Sequence, residues 1–198
     1  TLDRSSAASD VYKRQLLILL SPVFLIIATI SKIEEPDGTV YFKQQRAGVF
    51  NEPFLCYKFR SMEMSAPKNA STWELEHPED YITPLGKFLR KTSLDELPQL
   101  INILRGEMSF IGPRPVILKE KELLDLRAEN GAYIAKPGIT GLSQISGRDN
   151  LSPKLKAETD GIYASDITFI KDLKIFLKTI PKVLSSDGVT AVSYTHLR

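Results

Sequence analysis

The sequence predicts an α+β domain, mainly helical, that is membrane-associated and monotopic, with an N-terminal re-entrant helix and a small β-hairpin. Three observations predict it. An uncharged apolar run near the start is interrupted by proline, two aromatic-rich segments flank a turn, and apolar residues recur at helical spacing further on. The chain has 198 residues, 42% hydrophobic and 25% charged, which suits one folded domain with a real core.

"SAASDVYKRQ" near the start and "VSYTHLR" at the finish resemble translated sequencing-adapter sequence, so residues 1–15 and 191–198 are expected to be foreign to the fold. They carry Arg4, Lys13, Arg14 and Arg198 against Asp3 and Asp10; without them the chain's 26 basic and 24 acidic residues balance. A neutral remainder gives no support to nucleic-acid binding. One cysteine, Cys56, leaves no internal disulfide. Without the tail, His77 is the only histidine. A Ser-His-Asp or Cys-His system then hangs on one residue and a His/Cys zinc site lacks ligands, so carboxylates are the expected carriers of chemistry.

"LLILLSPVFLIIATI", residues 16–30, is fifteen residues without a charge. As a helix it measures about 22 Å, short of the roughly 30 Å hydrocarbon core. Pro22, after Ser21, removes a backbone donor and predicts a kink. A short, kinked apolar helix suits a segment, placed at 16–33, that enters and leaves a bilayer by one face. A signal peptide, a full span or a buried helix are the alternatives.

"TVYFKQQ" and "FLCYKFRSM", joined by "RAGVFNEP", read as a hairpin. Leu55, Tyr57 and Phe59 share one face of the second strand, and Lys58 and Arg60 the other. Two cations at i and i+2 lie about 7 Å apart, within reach of neighbouring phosphates. Residues 63–81 read as a loop with one helical turn.

"SLDELPQL", residues 93–100, sets Asp95 beside Glu96. Ser93-x-x-Glu96 fits a capping box, and acids in a first turn complement the helix dipole. Pro98 weakens that reading, because counting from Ser93 it falls where its missing N–H is needed; counting from Asp95 it is harmless. Leu94, Leu97, Ile101 and Leu104 mark one helical face, Asp95, Gln99 and Asn102 the opposite one, and Gly106 is a plausible stop. An ionised aspartate at a helix start could attack phosphorus if cations screen the anions. Arg90 lies upstream and Arg114 is held between Pro113 and Pro115. Glu96 could hold magnesium, which prefers oxygen ligands and bridges phosphates. The glycines of "KPGITGLSQISGRD", residues 136–149, suit an irregular connection better than a ligand cradle. In "KDLKIFLKTIPKVLSS", Leu173, Phe176, Leu177, Ile180 and Leu184 form a stripe opposite Lys171, Lys174, Lys178 and Lys182. That pattern suits an anionic headgroup layer or ordinary packing on the core.

Taken in order, the Ser-Pro apolar helix, "FKQQRAG", "YKFRSM", "TSLDELPQLINILRGEMSFIGPRP", "KPGITGLSQISGR" and "DLKIFLKTI" resemble the bacterial sugar transferases, the small monotopic polyprenyl-phosphate phosphoglycosyl transferases. The resemblance implies a catalytic domain over residues 34–190. It implies transfer of a sugar-1-phosphate from a nucleotide sugar, expected to be a UDP-sugar, to polyprenyl (undecaprenyl) phosphate. The nucleoside monophosphate is released and assembly of a surface polysaccharide, exopolysaccharide or lipopolysaccharide begins. It implies that Asp95 is a nucleophile forming a phospho-sugar intermediate, that Glu96 helps bind Mg2+, and that Arg90 and Arg114 bind phosphate. It places the chain on the cytoplasmic face of a bacterial inner membrane, its apolar helix broken at Ser21-Pro22. A homodimer is compatible with all of this. The competing reading is a membrane-bound scaffold of a glycan assembly complex, in which the acidic pair only caps a helix.

Overall fold

The computed structural model describes residues 2–66, 77–147 and 151–185. The predicted adapter-like tail at 191–198 lies outside these residues, as do most of the loop after Glu63 and the end of the glycine-bearing stretch. The architecture is mainly helical with small sheets, as the sequence predicts.

Helix α1 spans Leu2–Glu34 as one helix through Pro22, so the predicted break at Ser21-Pro22 is not seen. It also begins well before residue 16. Ser21 Oγ donates to Ile18 O at 2.7 Å, a bond that takes up a carbonyl near the proline turn. Counted with its flanking residues, the segment 14–34 is long and apolar enough to cross a membrane by length and composition. One stripe of α1 packs on the domain. Leu16, Leu17 and Leu20 meet Cys56, Leu100 and Ile103, while Val23, Phe24 and Ile27 meet Phe59 and Leu89. Ile18, Leu19, Leu25, Ile26 and Ile33 stay exposed.

The predicted hairpin forms from β1 (Tyr41–Ala47) and β2 (Pro53–Phe59), antiparallel, with Gln44 opposite Cys56. Its turn holds Phe50 and Asn51 at positive φ. The described part of the following loop ends in the predicted helical turn, a 3-10 turn at Pro78–Tyr81. Helix α2 (Pro84–Thr92) starts on Thr83, whose side chain accepts from Gly86 N. A Cβ on Gly86 would come within 2.0 Å of Ser61 O, so glycine is what lets α2 lie against the end of β2.

Three differences mark the centre of the chain. Ser93 does not cap α3: it is left-handed (φ 58°), closes the C-terminus of α2 through its N–H to Arg90 O, and makes no side-chain cap bond. Leu94–Glu96 form a 3-10 turn, and helix α3 runs only from Gln99 to Leu104 with Pro98 at its cap position. The capping-box expectation therefore fails, because Pro98 cannot donate inside a helix and the helix starts after it. The polar face predicted for this helix is also buried, Gln99 and Asn102 being 2% and 0% exposed. Asn102 staples α3 to β2: Nδ2 donates to Leu55 O (2.8 Å) and Glu107 Oε2 (2.6 Å), and Oδ1 accepts from Tyr57 N (3.1 Å). Asn102→Ala is expected to cost about 1–3 kcal/mol for each buried group left unsatisfied, read as a lower urea midpoint at unchanged m-value.

The stretch read as an irregular connection contains strand β4 (Gly138–Thr140), which pairs in parallel with β3 (Ser109–Ile111), and the short helix α5 (Leu142–Ser146). Three-residue strands with glycine give too little alternation to be read. Helices α4 (Lys121–Glu129) and α6 (Pro153–Ala164) pack together through Leu123, Leu124 and Ala157. Helix α7 (Phe169–Ser185) buries Ile175 but leaves Leu173, Phe176, Leu177 and Ile180 exposed. The predicted stripe thus does not pack on the core. Its last member, Leu184, falls outside the residues whose side chains are described.

Candidate active site

Strand β2 delivers Lys58 to the 3-10 turn. Its Nζ donates to Glu96 Oε1 at 2.8 Å, and Arg114 Nη1 reaches the same oxygen at 3.1 Å. Two cations on one carboxylate oxygen hold the Glu96 carboxyl down at about 2, against the burial that would raise it. Asp95 is pushed the other way. Burial and the charge of Glu96 raise its pKa, opposed by Lys58, Arg114 and Arg90. The sequence reading expected a helix start to keep Asp95 ionised; it precedes α3 rather than capping it, and neighbouring cations supply the support instead.

Glu96 carries a pH signature. Its folded pKa lies below the ordinary 4.5, so its stabilisation is complete above pH 4.5 and is lost as pH falls through about 2. The stability gap between wild type and Glu96→Gln is expected to narrow over that window in urea titrations at stepped pH.

Arg90 projects from α2 one turn before Ser93, and its Nε donates to Ser61 Oγ at 2.9 Å. The left-handed Ser93 reverses the chain there, and the charge of Asp95 reaches the Arg90 guanidinium. Such a conformation in a non-glycine residue costs on the order of 1 kcal/mol and is held by its surroundings.

Arg114 sits on a segment anchored at every carbonyl. Pro113 O accepts from Gly138 N (2.9 Å), Arg114 O from Arg127 Nη1 (3.1 Å), Pro115 O from Arg46 Nη1 (3.3 Å), and Val116 O from Ala47 N (2.9 Å). Arg127 is itself fixed by Asp160, whose Oδ2 accepts from Nε at 2.9 Å and from Nη2 at 2.6 Å. That pair is buried, with side chains 7% and 1% exposed.

The structure therefore brings together Asp95, Glu96, Lys58, Arg90 and Arg114. It does not bring Arg60. That guanidinium is buried and bonded to Glu35, Thr39 O and Met62 O, where it ties β2 to the chain just after α1. Strand alternation placed Arg60 beside Lys58, but Arg60 lies past the last strand residue, where the alternation ends. Sequence reasoning missed Arg46, which is half-buried and feels the charges of Arg114 and Glu96. Its signal was its place on β1 with Gln44, whose Oε1 takes its Nη2 at 2.6 Å. His77 is exposed beside Glu79.

Among the described residues no group of three His, Cys, Asp or Glu side chains could hold a metal by itself. Magnesium does not need one, since it is commonly held by one or two carboxylates plus substrate phosphates. Glu96 is a carboxylate that could serve in such a site.

The sequence profile described as "Bacterial sugar transferase" matches residues 6–186, starting inside the stretch set aside as adapter-like. An "Exopolysaccharide production protein ExoY" of Sinorhizobium fredii is 40% identical over 87% of this chain and 81% of the relative. A "UDP-glucose:undecaprenyl-phosphate glucose-1-phosphate transferase" of Caulobacter vibrioides is 35% identical over 94% of this chain and 72% of its own length. An "Undecaprenyl-phosphate galactose phosphotransferase" of Salmonella typhimurium is 38% identical over 87% of this chain but only 39% of itself. With a profile match over nearly its whole length and relatives of this identity, the chain belongs to the bacterial sugar transferase family.

Proposed function

We propose that the protein is a phosphoglycosyl transferase that moves a sugar-1-phosphate from a UDP-sugar to undecaprenyl phosphate through a covalent intermediate on Asp95. The observation that carries this reading is the half-buried carboxylate pair ringed by Lys58, Arg90 and Arg114. Two carboxylates against three cations leave the positive excess a diphosphate needs. Neither acid caps α3, which takes away the explanation a scaffold would give for the pair.

In the first step an Asp95 carboxylate oxygen attacks the sugar-bearing phosphorus. The bond from that phosphorus to the bridging oxygen breaks, and the oxygen keeps the electron pair as UMP leaves. In the second step a phosphate oxygen of the lipid attacks the same phosphorus, breaking the acyl-phosphate bond. Asp95 returns as a carboxylate and the lipid diphosphate sugar departs. Arg90 and Arg114 carry the phosphate charge, and Lys58 fixes Glu96. Glu96 would hold magnesium, which when bound would supply Lewis-acid charge neutralisation at the donor's diphosphate.

The same reading sets the protein on the cytoplasmic face of the inner membrane. Two exposed apolar surfaces support it, Ile18, Leu19, Leu25 and Ile26 on α1 and the stripe of α7. Because α1 packs on the domain from Leu16 to Ile27, it would lie in the bilayer beside the domain, which favours a one-sided seat over a span. The test needs no lipid: labelled UMP should exchange into a UDP-sugar in the absence of acceptor, as a covalent intermediate demands. Sugar phosphate appearing in solution instead would mean that water is the acceptor and the protein is a hydrolase.

A further inference from the structure

A cavity of about 160 Å³ opens beside Glu96 and Ser93, between β3, β4, α5 and α7. Phe110, Ile139, Ile145 and Phe176 give it a largely apolar wall. Four of its polar side chains bond the protein. Thr140 Oγ1 and Thr179 Oγ1 bond each other at 2.8 Å, Gln144 Nε2 donates to Ile139 O at 2.9 Å, and Lys182 Nζ donates to Ile145 O. The one buried acceptor without a partner among the described residues, Gln144 Oε1, lies against Gly141, 2.8 Å from where a Cβ would stand. Phe176 belongs both to the cavity wall and to the exposed stripe of α7, so the space runs from the acidic pair to an apolar surface.

We infer that this cavity seats the first isoprene unit of the lipid acceptor, with the phosphate toward Glu96 and the remaining chain leaving over Phe176. The inference rests on the function proposed above and adds a place for the acceptor. Size supports it. An apolar cavity of about 150 Å³ takes one benzene ring, so this one takes a five-carbon unit, whereas whole drug-sized ligands occupy about 300 Å³ or more. Wall chemistry supports it too, because the threonines, the Gln144 amide nitrogen and Lys182 already bond the protein, which leaves few groups for a sugar.

Two arms test the inference, both read against acceptor-free UMP exchange. With wild-type protein in detergent micelles, a phosphate monoester bearing one isoprene unit is expected to exceed methyl phosphate in kcat/KM by at least about tenfold, the scale of apolar pocket discrimination. Equal values overturn the inference. Ile145→Phe and Ile139→Phe, which fill the cavity, are expected to lower lipid transfer at least about tenfold more than they lower exchange. Equal losses in both reactions would assign the cavity to the donor sugar and overturn it as well. If a filled variant fails to fold, the wild-type arm decides. Absence of exchange in wild type strikes the proposed function itself, and exchange without chain dependence strikes only the acceptor site.

Discussion

Asp95→Asn is expected to lower turnover by about 10⁴-fold or more, as loss of a nucleophile does, while leaving the thermal transition within a degree or two. The amide has the shape of the carboxyl, and Asp95 bears no capping bond whose loss would unfold α3. The variant should still bind UDP-sugar, since Lys58, Arg90 and Arg114 remain, but UMP exchange should vanish with turnover. Near-normal exchange in Asp95→Asn would remove Asp95 from the mechanism. The same assignment sets a pH dependence. Attack needs the ionised carboxylate, and burial raises the Asp95 pKa, so kcat/KM should fall on the acid side at a pH above the usual carboxylate range.

Asp160→Ala is expected to be the most destabilising single change in the chain. It leaves the Arg127 guanidinium buried and uncompensated, a loss of about 3–5 kcal/mol for a broken buried pair. For a domain of this size that is roughly a 6–20 °C fall in Tm by circular dichroism. A second variant separates stability from placement. Arg127→Met combined with Asp160→Leu swaps the pair for apolar side chains and should recover most of the stability. It does not restore the bond from Arg127 to Arg114 O, so KM for the UDP-sugar should stay raised in the stable double variant. Wild-type KM there would show that Arg127 does not position Arg114.

What could be read from the sequence was local. The hairpin was legible because two segments rich in aromatic residues flank a stretch with turn chemistry. The stripe on α7 was legible because its period is helical and long. Asp95 and Glu96 stood out by adjacency to each other and to Pro98. The contacts that make them a site were not legible, since Lys58 and Arg114 reach Glu96 across 38 and 18 residues of chain. Arg127 and Asp160 are 33 residues apart, and only an arginine spaced with Leu123 and Leu124 on α4 hinted at a buried guanidinium. Arg60 shows the opposite error, a cation placed by strand periodicity one step beyond where the strand stops.

The latching of α1 to the domain has a geometric consequence. Glu34 Oε1 accepts from Leu85 N at 2.8 Å, and Glu35 takes Met64 N at 3.1 Å together with the Arg60 guanidinium. Leu16, Leu17 and Leu20, midway along the helix, pack against Leu100 and Ile103 of α3, so α1 is held to the domain at two places. If the chain is seated in a lipid layer as proposed, the depth of α1 would be transmitted to the pocket, and α1 would act as a ruler that sets the height of Asp95 above the layer. A thicker or thinner layer then changes how far an acceptor phosphate must rise to meet the carboxylate. Acceptor turnover should track bilayer thickness even where the chemistry of the lipid head is constant.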